Sequence, residues 1–137
     1  MASSRRKARI RAVEVLYEAE ARDTSVAEVL ERRRQQPEPP INEFTRRLAA
    51  HIDENRDRVD AVIAEYAVGW TLERMPIVDR NVLRMGVYEL LWDDDIPDGV
   101  AVAEAVAVVR ELSSNEAPTF VNGLLSRILE QKSSLAN

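Results

Sequence analysis

The 137-residue chain has no cysteine, a single histidine and only four glycines. Without thiolates there is neither a disulfide framework nor a cysteine-ligated metal site, which fits a reducing, cytoplasmic compartment. His51 stands beside Ile52 with no serine or cysteine nucleophile pattern near it, so no catalytic triad is suggested. Gly69, Gly86, Gly99 and Gly123 are isolated, which excludes a phosphate-cradling glycine loop. No stretch approaches the roughly 20 apolar residues of a membrane span, and the first residues carry charge without an apolar signal core. Asp93, Asp94 and Asp95 stand consecutively, without the spacing of a calcium loop, and read as a helix end or solvated loop. The expectation is a binding module: not an enzyme, with no cofactor, no metal and no membrane partner.

What is present is charge, unevenly placed. Residues 1–11 contain Arg5, Arg6, Lys7, Arg9 and Arg11 and no acid, so the remainder carries a net −10 to reach the overall −5. An acidic body repels nucleic acid at long range, and any contact with RNA or DNA is then confined to a local basic face. A basic run at a chain end can equally be a solvated terminus.

Hydrophobic periodicity gives seven helical segments and no convincing strand. From Arg5 to Glu20, Ile10, Val13 and Tyr17 recur at helical spacing, with Ala12, Leu16 and Ala19 widening the stripe. Thr24 or Ser25 can cap a second helix whose Val26, Val29 and Leu30 face inward before Arg32, Arg33 and Arg34 lead into a linker with Pro37, Pro39 and Pro40. Asn42 can cap a third helix with Phe44, Leu48 and Ile52. A fourth carries Val59, Val62, Ile63 and Tyr66, the polar run Asp53 to Asp57 dividing the two.

Pro76 suits the first turn of a fifth helix running to about Trp92, apolar over most of its circumference and therefore the most buried. Gly86 in its middle predicts a close approach by another backbone. Ala101 to Leu112 is rich in valine but too long and too alanine-rich for most strands. Pro118 opens a last helix with Phe120, Leu124, Leu125, Ile128 and Leu129. The fold class is all-α: one domain over residues 1–137, a helical bundle of two small subdomains, about 1–36 and 41–137.

On the first helix, Arg5 and Arg9 are four residues apart with Arg6 beside them, so their guanidinium groups can reach neighbouring phosphates. Tyr17 is either core, which its spacing favours, or a ring for stacking on an unpaired base. Phe120 poses the same choice: its spacing with Leu124 favours core, and its place in the first turn leaves it near an exposed helix end.

Arg5-Arg6-Lys7-Ala8-Arg9, Leu16-Tyr17, Trp70 with Leu72-Glu73-Arg74, Val82-Leu83-Arg84, Tyr88-Glu89-Leu90, Asp95-Ile96-Pro97 and Phe120-Val121-Asn122-Gly123 follow one another across nearly the whole chain. In that order they resemble the NusB family of bacterial transcription antitermination factors. The resemblance implies an all-helical protein that pairs with NusE, a ribosomal small-subunit protein, and binds the boxA element of ribosomal RNA leaders. The pair joins the antitermination complex on RNA polymerase and suppresses premature Rho-dependent termination. It implies RNA contact by Arg5, Arg6, Lys7, Arg9 and Tyr17, helped by Asp79, Arg80, Phe120 and Asn122, and a NusE surface near Trp70, Leu72, Tyr88 and Trp92.

A homodimer is also compatible with the resemblance and could cover the basic helix. Glu14 stands where many relatives have Gln, which places a negative charge near the expected RNA face, and Ala103 stands where relatives often have Asn; the two departures imply an RNA affinity weaker or more dependent on NusE than in the family generally. The alternative is a helical protein-interaction adaptor without RNA binding. A third reading, an RNA methyltransferase carrying a NusB-like domain, lacks the residues of a cofactor-binding domain.

Overall fold

A computed structural model of the chain describes residues 4–36 and 41–135, and the proline linker at 37–40 lies outside them. Among the described residues there are eight α-helices and no strand. They fall into two compact units, residues 1–54 and 55–137. The sequence places the division at the proline linker. The observed boundary lies further on because the third helix packs against the first and second.

In the first unit, α1 (Ser4–Ala21) buries Ala8, Ile10, Ala12, Val13, Val15, Leu16 and Ala19. α2 (Val26–Arg34) begins at Ser25, whose hydroxyl accepts from the Glu28 N–H at 3.0 Å, satisfying one of the donors a helix start leaves open. α3 (Glu43–Glu54) begins in the same way, the Asn42 side-chain oxygen accepting from the Thr45 N–H at 2.8 Å. A buried bond then ties α3 to α1: the Thr45 hydroxyl donates to the Ala8 carbonyl at 3.1 Å.

In the second unit, α4 (Arg56–Tyr66) starts one residue after α3 ends, so the break expected over Asp53 to Asp57 is confined to Asn55. A 3₁₀ turn, Leu72–Arg74, precedes α5 (Ile77–Trp92). Pro76 caps α5 rather than lying inside its first turn, where its missing N–H would be equally harmless. Every residue from Asn81 to Leu91 is buried, as expected of a central helix, and α5 packs against α4, α6 and α7. α6 (Asp98–Leu112) starts three residues earlier than its apolar pattern: Pro97 has helix-compatible φ, and Asp98 has the favourable sign for the helix dipole. α7 (Ala117–Glu130) carries Pro118 in its first turn. A short α8 (Lys132–Leu135), unmarked by any sequence pattern, follows.

Gly86 is a contact point, though with side chains rather than a backbone. A Cβ there would lie 2.8 Å from Leu125 Cδ1 on α7 and 3.2 Å from the Ala105 Cβ on α6. Beside it, Arg84 is buried and paired with Asp60 of α4, Nε to Oδ1 at 2.8 Å and Nη2 to Oδ2 at 3.1 Å, while Nη1 donates to Asn81 Oδ1 at 3.0 Å. No helix among the described residues is long and apolar enough to cross a membrane.

Candidate nucleic-acid interface

The first turns of α1 contain no acidic residue and gather Arg5, Arg6, Lys7 and Arg9. Cations at a helix N-terminus oppose the macrodipole, at a cost of about 0.3–1 kcal/mol each near the surface. Helix stability therefore does not account for them. Together with the positive end of the helix dipole, they make a strong field for an anion.

Arg5 and Lys7 are exposed and Arg6 is half-buried. Arg9 is only 3 % exposed. The ring of Phe44 on α3 accounts for part of this order, with the Arg5 guanidinium 4.2 Å and the Arg9 guanidinium 5.5 Å from its centroid. Thr45, next along α3, holds the Ala8 carbonyl between these two arginines. Phe44 and Thr45 are thus supports of the basic turn; the helical pattern marked Phe44 only as apolar and gave Thr45 no role.

Tyr17, for which spacing favours the core over a stacking role, is 41 % exposed. It opens on a groove of about 950 Å³ between α1 and α2, where Arg11, Arg22, Arg32 and Arg33 meet Glu14 and Glu18. Glu14, the acid expected near this face, is paired with Arg11 at 2.9 Å.

In the second unit, Trp70 and Phe120 stand 6.3 Å apart at a tilt of 58°. With Met75, Pro76, Ala117 and the Asp79 carboxylate they line a groove of about 240 Å³. Asp79 is 6 % exposed and accepts from the Ser113 hydroxyl, which fixes its orientation. An aromatic pair over a fixed carboxylate suits a planar ring that offers N–H donors, as an unstacked base does.

Asn122 is exposed on α7. Arg80 turns elsewhere: its Nη1 donates to the Leu72 and Met75 carbonyls at 3.1 and 3.0 Å, bracing the 3₁₀ turn that follows Trp70. Burial and the neighbouring Arg84 charge lower its pKa from the usual arginine value.

The four residues expected at the NusE surface do not behave alike. Trp70 is 53 % exposed and belongs to the groove with Phe120 and Asp79. Leu72 is half-buried on the 3₁₀ turn and Tyr88 is buried. Trp92 lies beneath Arg58 of α4, whose guanidinium is 4.1 Å from its ring.

Comparison with known proteins bears on what this arrangement serves. The model of the NusB family matches residues 6–130. The chain belongs to the NusB family. It is 68 % identical over 133 residues to the transcription antitermination protein NusB of Thermobifida fusca (strain YX), spanning 97 % of this chain and 94 % of that protein. The protein of the same description from Arthrobacter sp. (strain FB24) is 48 % identical over 133 residues, spanning 97 % and 98 % of the two chains.

Among solved structures, NusB of T. maritima superposes with a TM-score of 0.82 at 34 % identity, over 96 % of this chain and 94 % of its own. A chain in the crystal structure of antitermination factors NusB and NusE in complex with dsRNA gives 0.81 at 26 % identity, over 93 % and 96 %. The family match spans both compact units, and so takes in Arg6, Lys7 and Arg9 of the basic turn and the Trp70–Phe120 groove alike.

Proposed function

We propose that the protein is a cytoplasmic transcription antitermination factor that binds boxA RNA of ribosomal RNA leaders together with NusE. In the antitermination complex on RNA polymerase it suppresses premature Rho-dependent termination, acting by binding and not by catalysis. The observation that carries this reading is the basic start of α1, where cations collect against the helix dipole on a chain of net −5. In this reading Arg5, Arg6 and Lys7 hold phosphates, with Arg9 stationed behind them on Phe44. Tyr17 and Phe120 stack bases, Asp79 and Asn122 meet base edges or the 2′-hydroxyl, and Arg80 acts through the turn it braces. Trp70, Leu72, Tyr88 and Trp92 form or support the NusE side, Tyr88 from within the core.

The test is binding of a short boxA RNA and a scrambled control, with and without NusE, over a salt series. The expected result is a preference for boxA and an affinity that falls log-linearly with salt. Equal binding of the two RNAs, or no response to salt, overturns the proposal. Complex assembly unchanged by Arg5→Ala and Arg6→Ala identifies instead an adaptor that does not bind RNA.

A further inference from the structure

One side chain, Glu18, gathers three guanidinium groups. Arg32 Nη1 lies 2.8 Å from its Oε2, Arg33 donates to its Oε1 from both Nη2 at 2.8 Å and Nε at 3.2 Å, and Arg22 approaches to 3.9 Å. A brace between α1 and α2 needs only the Arg33 pair, which is well shielded, with side chains 16 % and 18 % exposed. Arg22 and Arg32 are 66 % and 40 % exposed and add positive charge that Glu18 cannot match. With Arg11 and Glu14 paired, the groove keeps a surplus of +2 on an acidic protein, and Tyr17 opens onto the same groove. Surplus cations beside an exposed aromatic ring are what an unpaired nucleic-acid strand requires.

Helix geometry connects this groove to the basic turn. Lys7, Arg11, Glu14 and Glu18 follow one another at steps of three or four residues along one face of α1, and Arg22, whose N–H donates to the Glu18 carbonyl at 3.0 Å, continues the series just past its end. Lys7 and Arg22 are separated by about 22 Å along the axis at 1.5 Å per residue.

We propose that single-stranded RNA runs on from the basic turn of α1, past the base stacked on Tyr17, into this second site, where Arg22 and Arg32, arrayed by Glu18, take phosphates of the unpaired strand beyond the boxA element. This rests on the RNA-binding reading above and adds Arg22, Arg32 and the positioning residue Glu18 to it.

The test compares two RNAs on the full chain with NusE present: the boxA RNA, and the same RNA lengthened at both ends by unpaired uridines. Wild-type protein should bind the longer RNA more tightly and with the steeper salt dependence. The Arg22→Ala, Arg32→Ala double variant keeps the Arg33 brace. It should lose that advantage, its log–log salt slope falling by about 0.7 for each guanidinium removed, while binding of the short RNA is unchanged. Lysine at both positions should restore the slope.

Equal binding of the two RNAs by wild type overturns this inference and leaves the RNA-binding reading standing. So does a double variant that keeps the advantage, including one that melts at a lower temperature, which marks the arginines as a brace alone. Salt-insensitive binding of both RNAs by wild type overturns both proposals together.

Discussion

The Arg5 guanidinium rests on the Phe44 ring, 4.2 Å from its centroid, and so a cation at the least favourable end of α1 is held in place by an aromatic face from α3. The ring also serves Arg9. Phe44→Leu keeps an apolar side chain but removes the quadrupole, and should weaken boxA binding roughly two- to fivefold, the worth of one cation–π contact at an exposed site. Fluorescence anisotropy checks this, with the melting temperature nearly unchanged. A variant that binds as wild type would mean that Arg5 needs no preorganisation.

Gly86 and Gly123 should respond oppositely to alanine. At Gly86 the new methyl meets Leu125 and Ala105, and overpacking of about 1–3 kcal/mol outweighs the ~1 kcal/mol of helix propensity gained. At Gly123 the nearest atom is the Arg127 Nη1 at 3.8 Å, so the alanine fits and stabilises by about 0.4–1 kcal/mol. Thermal unfolding of the two variants, one melting below and the other above wild type, is the measurement.

Asp60→Ala removes the carboxylate from a buried guanidinium. Arg84 retains Asn81, so the loss should lie toward the lower end of the about 3–5 kcal/mol typical of a broken buried pair. Urea unfolding should show it as a lower midpoint at unchanged slope. Methionine at Arg84 together with Asp60→Ala should recover part of the loss, because no charge is then left buried alone.

Acid should loosen the α1–α2 pair through Glu18. Burial pushes its carboxyl up, but the hydrogen bond from Arg33 and the charges of Arg33, Arg22 and Arg32 outweigh this and hold it below the ordinary value of 4.5. A folded-state pKa below the unfolded one means that the contribution is complete above pH 4.5 and is lost as pH falls through the folded value. Glu18→Gln should therefore be less stable than wild type at neutral pH, with the gap closing in acid. Chemical unfolding of both proteins across that range tests it, and a constant gap would refute the linkage.

The helices were legible because each buries a stripe of its own sequence: Ile10, Val13 and Leu16 mark α1, and Leu124, Leu125 and Ile128 mark α7. Their ends were read less well where polar residues form the first turn. Asp98 and Gly99 look like loop in sequence, yet start α6.

For the candidate site, charge alone marked the basic run but left it equally a solvated terminus. Its support was not legible, because Phe44 and Thr45 reach it only through the packing of α3 on α1, a relationship with no local signature. Tyr17 shares the period of the α1 stripe but sits at its edge, beside Glu18, and so faces outward. The Arg32 and Arg33 pairing with Glu18 spans a turn and reads in sequence as a solvated charge run.

α2 has nine residues, fewer than the roughly 12–15 a helix needs to persist alone, and only Val26 and Val29 are buried. Its brace to α1 is ionic, the shielded Arg33–Glu18 pair. Its amides should then be the first of the three helices in that unit to exchange with solvent deuterium, at a rate that climbs as added salt shortens the Debye length. An RNA strand lying on the exposed arginines would slow that exchange, making the opening of α2 a clock for occupancy of the strand's far end.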